Sequence, residues 1–194
     1  MTTAAKEHPI IFNAWSILHI LNGTKTQTRR VIKKHPLIDC GMSDAFIKDP
    51  DNYVIQDCPF GGVGDLLWVR ETYEIREVDT EFGVEERIFY RVDCDDKPET
   101  RWCPAIFMPR KYSRLFLEIT DVRIERVQDI IEADALAEGC RIWMGQDGIK
   151  TDTAVNDFAR IWEEINAKRG FSLKVNPWVW VISFRPLAAD AKND

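Results

Sequence analysis

Apolar residues at Ala14, Trp15, Leu18 and Leu21, with Ile17 and Ile20 widening the stripe, recur at helical spacing through NAWSILHILNG. Gly23 follows as a left-handed stop, so a helix is expected to end there. The next residues, KTQTRRVI, bring threonines and the β-branched Val31 and Ile32, which suit an extended segment. Residues 35–64 contain Pro36, Pro50, Pro59 and four glycines without periodicity, and read as a long irregular loop. A strand is expected over Leu66–Ile75, opened by the Gly64-Asp65 turn, and another over Arg87–Asp93, with the acidic stretch between them as a hairpin end. Prolines at 98, 104 and 109 break the next segment, whose arginines and aromatics have the character of a binding loop. Arg114–Val127 alternates as a long or bent strand, and Asp129 with Glu132 three residues on marks a short helix that Gly139 stops. Val155, Phe158, Trp162 and Ile165 give a longer helix closed by Gly170. PWVWVISF is apolar on both faces, as a central strand is.

This order lacks strict βαβ alternation and predicts an α+β chain: a small curled mixed sheet or barrel with helices packed outside and long irregular loops. No GxGxxG or GxxxxGK[ST] marks a dinucleotide or phosphate loop, there is no internal repeat, and MTTAAKEH and LAADAKND read as frayed ends. At 194 residues and 45% hydrophobic, the chain suits one domain, placed here at residues 8–186 with elaborations at about 35–64 and 93–113. No apolar run of about 18 residues and no leader-like segment is present, so a cytoplasmic protein that crosses no membrane is expected. The five cysteines are widely spaced without a CxxC pair, and the three histidines form no ligand pattern, so neither a disulfide framework nor a metal or other cofactor is expected.

Charge sharpens the picture. A formal net charge of −6 argues against coating nucleic acid through a global positive field. Two local basic clusters stand against that background: Lys25, Arg29, Arg30, Lys33 and Lys34, and Arg110, Lys111 and Arg114. Arg70 beside Trp68 and Arg110 beside Pro109 are candidates to line a pocket, and Trp102, beside Arg101 in the proline-rich loop, is the best candidate to stack on a base.

GTKTQTRR fits a G-x-K-x-x-T-x-R signature at Gly23, Lys25, Thr28 and Arg30. With GDLLWVRETY, MPRKYSRLFLEITDVRIERVQDI followed by EADALAEG, and NPWVWVISFRP, the chain resembles the ASCH-domain family of the PUA-like superfamily, in particular its longer phage- and prophage-encoded members. The resemblance implies a small PUA-like β-barrel with flanking helices. Related PUA domains bind RNA. Some small bacterial members remove the acetyl group of N4-acetylcytidine with a lysine, a threonine and a glutamate, which fall on Lys25, Thr28 and Glu138; the family arginine falls on Arg30. The loops at 35–64 and 93–113 depart from those small enzymes and could admit a larger substrate or cover the pocket.

Two readings stay open on these residues. In one, a pocket recognises a cytidine-like nucleoside or modified base and hydrolyses its amide, with Lys25, Thr28 and Glu138 catalytic and Arg29, Arg30, Arg70, Arg110 and Trp102 binding substrate. In the other, a non-catalytic module binds nucleotide or single-stranded RNA, with Lys25, Arg29, Arg30, Arg110 and Arg114 on phosphates and a loop aromatic stacked on a base. A lysine acting as base near neutral pH needs its pKa lowered at a cost of about 4 kcal/mol, which burial or a neighbouring arginine supplies and a neighbouring carboxylate opposes. Lys25 and Thr28 also have opposite parity, so in one regular strand they would face opposite sides. A shared pocket requires Gly23–Lys25 to be a turn, or a bulge.

Overall fold

The computed structural model describes residues 5–49, 53–94, 101–145 and 150–187. Along the chain run β1 (Glu7–Ile11), α1 (Ala14–Leu21), β2 (Gln27–Val31), three one-turn helices α2 (Pro36–Asp39), α3 (Asp44–Ile47) and α4 (Tyr53–Gln56), then β3 (Leu66–Arg70), β4 (Tyr73–Thr80) and β5 (Gly83–Tyr90). There follow β6 (Phe116–Arg126), α5 (Glu132–Ala137), the short β7 (Trp143–Met144) and β8 (Lys150–Asp152), α6 (Ala154–Asn166) and β9 (Trp178–Pro186). Five strands form one mixed sheet in the order β1-β3-β6-β9-β2, and β4-β5 and β7-β8 are separate hairpins.

The α+β class and the central place of β9 agree with the hydrophobic pattern. β9 pairs antiparallel with both β6 and β2. Its Trp178, Trp180, Ile182 and Phe184 enter one core with Ile10, Ile17, Leu67 and Ile124, while Val179 and Val181 enter a second with Phe158 and Trp162 of α6. A register shift between Ile119 and Asp121 bulges β6 against β9, the kind of irregularity that increases local twist and bends a strand. The expected barrel does not close by hydrogen bonds: β1 and β2 remain the two edges.

Several local expectations are corrected. α1 buries Ser16, Ile17 and Ile20, whereas Leu18 and Leu21 are 50% and 48% exposed. The helix thus docks through its Ile17/Ile20 stripe, with Trp15 packed against the second core, and Ala14, Leu18 and Leu21 lie on its outer side. Glu7 and His8, expected in a frayed end, open the parallel edge strand β1; Pro9 is tolerated there because an edge strand leaves one row of N–H groups unpaired. Met1–Ala4 and residues 188–194 of the expected frayed ends lie outside the described residues, as does Pro98. The 35–64 loop contains α2, α3 and α4, each too short to show a helical period. The strand expected over Leu66–Ile75 breaks after Arg70, and its second half joins the longer hairpin β4-β5. Asp129 does not cap α5, whose cap position is Ile131; its carboxylate instead accepts from the Arg126 backbone N–H and from Lys48.

Candidate functional site

The turn between α1 and β2 is built by short polar side chains. Asn22 and Gly23, the latter at φ +77°, end the helix. The Thr24 hydroxyl lies 2.6 Å from Asn22 Oδ1 and 2.7 Å from His19 Nδ1, and the Lys25 N–H donates to the His19 carbonyl at 2.8 Å. Lys25 is therefore still in the turn. It forms an isolated antiparallel bridge with Glu138, and the Thr26 N–H donates to the Ala137 carbonyl before β2 begins at Gln27. This removes the parity conflict: Thr28 belongs to β2 and Lys25 does not.

Glu138 occupies the end of α5, where its N–H reaches the Asp134 carbonyl and Gly139 turns the chain at φ +92°. A Cβ on residue 139 would lie 3.2 Å from His19 Cβ and 3.3 Å from the Trp15 ring, so only glycine permits both this backbone conformation and this close packing on α1. The two helix ends thereby set Lys25 against Glu138. Lys25 Nζ donates to Glu138 Oε2 at 2.6 Å and to the Glu138 carbonyl at 2.9 Å, with both residues buried. Arg29 Nη1 approaches the other carboxylate oxygen at 3.4 Å. Burial pulls the Lys25 ammonium below its ordinary pKa, and the Arg30 charge assists; the Glu138 carboxylate opposes the shift without reversing it.

Thr28 and Arg30, two residues apart on β2, share a face. Arg30 Nη1 donates to Thr28 Oγ1 at 2.9 Å, its Nη2 donates to the Ile11 carbonyl at 2.9 Å, and its guanidinium lies 4.9 Å from the Phe12 ring. Arg30 thus spans from the β2 edge to the end of β1. A cleft of about 830 Å³ opens along this seam. Pro9 and Ile11 of β1 border it on one side, Thr28, Arg30 and Val31 of β2 on the other, and Trp15, Phe158 and Trp162 supply aromatic wall. The sheet has curled until its two edges face one another across a cavity, and the cavity lies where a closed barrel would have its last ladder.

Lys25, Thr28 and Glu138 all line this cleft, but they do not form one hydrogen-bonded triad. Among the described residues the Thr28 hydroxyl has Arg30 as its partner and bonds neither Lys25 nor Glu138. Arg29 borders the cleft with its donors already engaged: its Nη1 donates to Gln27 at 2.7 Å, and its Nη2 to Glu125 and Asp134, each at 3.0 Å. Arg70 lines the cleft while its guanidinium holds the carbonyls of Ile106 and Met108.

The chain is similar in structure to an ASCH domain. That domain, from Lactobacillus crispatus JV V101, is 13% identical and aligns over 93% of this chain and 79% of its own at a TM-score of 0.42. Protein EF3133 from Enterococcus faecalis V583, of the DUF984 family model, is 12% identical over 96% and 83%, with a TM-score of 0.43. No protein-family model and no curated protein matches the chain.

Two residues expected to bind substrate lie outside the cleft wall. Arg110 pairs with Glu7 through Nε and Nη2 and packs on Phe116. Trp102 sits between Arg76 and Arg91 at the base of the β4-β5 hairpin, with its indole N–H buried and unpaired. Conversely, Trp15, Cys140, Lys33 and Arg169 line the cleft without having been read as site residues. Cys140 stands two positions after Glu138, which is a usable signal; its thiol is pushed up to about 12, chiefly by burial, and so is no ready nucleophile. Arg169 had as its only sequence signal a cation in the last turn before Gly170. No group of three or more His, Cys, Asp or Glu side chains among the described residues gathers as metal ligands do, and none of the helices described is long and apolar enough to cross a membrane.

Proposed function

We propose that the cleft binds a cytidine-like base and that Lys25, Thr28 and Glu138 hydrolyse an N-acyl amide on its exocyclic nitrogen. The observation that carries this reading is the buried Lys25–Glu138 pair opening onto a cleft whose wall also holds Thr28. In this reading the base stacks on Trp15, which lies against the Lys25 ammonium at 6.0 Å. Lys25 in its neutral form takes the Thr28 hydroxyl proton as Oγ1 attacks the acyl carbon. The guanidinium of Arg30, already donating to that oxygen, stabilises the negative charge created by deprotonation. The proton passes from Lys25 through Glu138 to the exocyclic nitrogen as the C–N bond breaks. Water then hydrolyses the threonine ester and releases the acid.

A second reading, a nucleotide- or RNA-binding module without turnover, is favoured by one feature of the same geometry. Glu138 holds Lys25 at 2.6 Å, and a close carboxylate favours the ammonium over the free amine. The deciding experiment follows N4-acetylcytidine by chromatography with wild-type protein, Lys25→Met and Glu138→Gln, alongside equilibrium binding of cytidine. Hydrolysis is expected to yield cytidine and acetate in equal amounts and to fall at least about a hundredfold in either variant. Cytidine binding without any conversion would support the module. Absence of both would overturn the assignment of this cleft to a cytidine-like base.

A further inference from the structure

We infer that the ligand of this cleft carries a phosphate, held at the seam end by Lys33 and Arg169 with Arg30 behind them. The inference rests on the cytidine-like reading above and adds a substrate class to it.

The charges around the cleft are one-sided. Lys25, Arg29, Arg30, Lys33, Arg70 and Arg169 contribute to its wall, whereas Glu138 is the one acidic residue among the lining residues. This imbalance occurs in a chain with six more acidic than basic residues. Arg29 is balanced by Glu125 and Asp134 outside the cleft, and Lys25 by Glu138. Arg30 is different: its partners are the Thr28 hydroxyl and the carbonyls of Arg29 and Ile11, all uncharged. Lys33 and Arg169 are exposed, and neither has a carboxylate partner among the described residues. Burial draws Arg30 below the ordinary guanidinium range against the pull of Glu138, and the nearby Arg169 charge draws it further. Three cations thus line the cleft without a carboxylate ion-pair partner among the described residues.

Their order along the chain fits a nucleotide. Thr28 lies beside the proposed reacting acyl group, the Arg30 guanidinium reaches back from two positions along the strand to the Thr28 hydroxyl at 2.9 Å, and Lys33 lies beyond the strand end. Arg169 enters from the opposite wall at the end of α6. A phosphate at this end would leave the base at the Lys25–Glu138 end, and its oxygens could accept from both the planar guanidinium and the ammonium.

The test is a binding titration by calorimetry, checked by intrinsic tryptophan fluorescence to which Trp15 and Trp162 of the cleft wall contribute, using cytidine, cytidine 5′-monophosphate, cytidine 3′-monophosphate, inorganic phosphate and a short cytidine-containing single strand of RNA. At low salt a monophosphate is expected to bind at least about tenfold tighter than cytidine, which is about 1.4 kcal/mol, with the advantage shrinking as salt is raised. Inorganic phosphate should compete with the nucleotide. The double variant Lys33→Gln/Arg169→Gln should bring the nucleotide-to-nucleoside ratio to within about twofold, while Lys48→Gln, a cation paired with Asp129 away from the cleft, keeps it. The RNA arm identifies the source: a strand that binds more tightly than either monophosphate points to an internucleotide phosphate, and one that binds no better points to a phosphomonoester. Equal binding of cytidine and both monophosphates, or a ratio preserved in the double variant, overturns this inference and leaves the cytidine reading standing. No binding of any cytidine compound overturns the cytidine reading itself.

Discussion

Arg29 and Arg30 on β2 and Arg114 just before β6 are all drawn inward, but their surroundings differ. Arg114 lies over the Tyr90 ring, grips both carboxylate oxygens of buried Glu71 at 2.8 Å, and also pairs with Asp93. Burial raises the pKa of Glu71 even against this guanidinium. Arg114 is absent from the wall of the 830 Å³ cleft. At the other cluster the ion pairs of Lys25 and Glu138 among the described residues are with each other and with Arg29, and an open volume stands in front of them. A buried ionic cluster whose partners are all protein holds structure together. One that faces a cavity leaves its reactive atoms available to a ligand.

The largest expected effect tests the structural cluster. Arg114→Ala leaves Glu71 buried without its guanidinium and should cost about 3–5 kcal/mol in denaturant unfolding; a loss below about 1 kcal/mol would remove the contrast between the clusters. Gly139→Ala comes next, at about 2 kcal/mol, because a side chain at φ +92° is strained and crowds His19 and Trp15. It should also weaken cytidine binding, since Trp15 forms part of the cleft wall, and unaltered affinity would separate the helix-end packing from the site.

Acid titration gives a smaller effect that differs in sign between the clusters. For Asp134, burial pushes the pKa up, but Arg29 and Arg123 outweigh it and hold the group below 3.8. Its contribution is therefore present above pH 3.8 and lost as pH falls through the folded pKa. Glu71 lies above 4.5 in the folded protein, so the folded state holds its proton longer and stability from this group declines as pH rises from 4.5 through the folded value. Unfolding midpoints measured from pH 3 to 7 should show Asp134→Asn flattening the acid limb and Glu71→Gln removing the opposite slope. The same slope change in both variants would break the comparison. The smallest effect is expected from Arg110→Ala, whose side chain is 55% exposed: a stability change within about 0.5 kcal/mol and unchanged cytidine affinity.

Much of the fold was legible because β9, β6 and α6 carry strong periodic apolar patterns, and Gly23 and Gly139 mark the two turns that set Lys25 against Glu138. Parity left a turn or a bulge open there, and the helix stop at Gly23 pointed to the turn. The cleft itself was not legible, since its far edge is the five-residue strand EHPII, interrupted by Pro9 and too short to show alternation. Arg110 falls outside the cleft, and Arg70, though on its wall, is engaged elsewhere, for a related reason. Local sequence displays a charge but not its partner, and Glu7 is 103 residues from Arg110, while Arg70 spends its donors on carbonyls in the 106–108 loop. Trp102 drew notice as a loop aromatic beside an arginine, yet its ring is taken up by Arg76 and Arg91.

The most direct test deletes one charge from each basic stretch and compares them in a single assay: N4-acetylcytidine conversion by wild type, Lys25→Met and Arg110→Ala, each first shown to unfold cooperatively. The account predicts conversion in the wild type and in Arg110→Ala, with a loss of at least about a hundredfold in Lys25→Met. Full turnover in Lys25→Met, or an equal loss in Arg110→Ala, would contradict it.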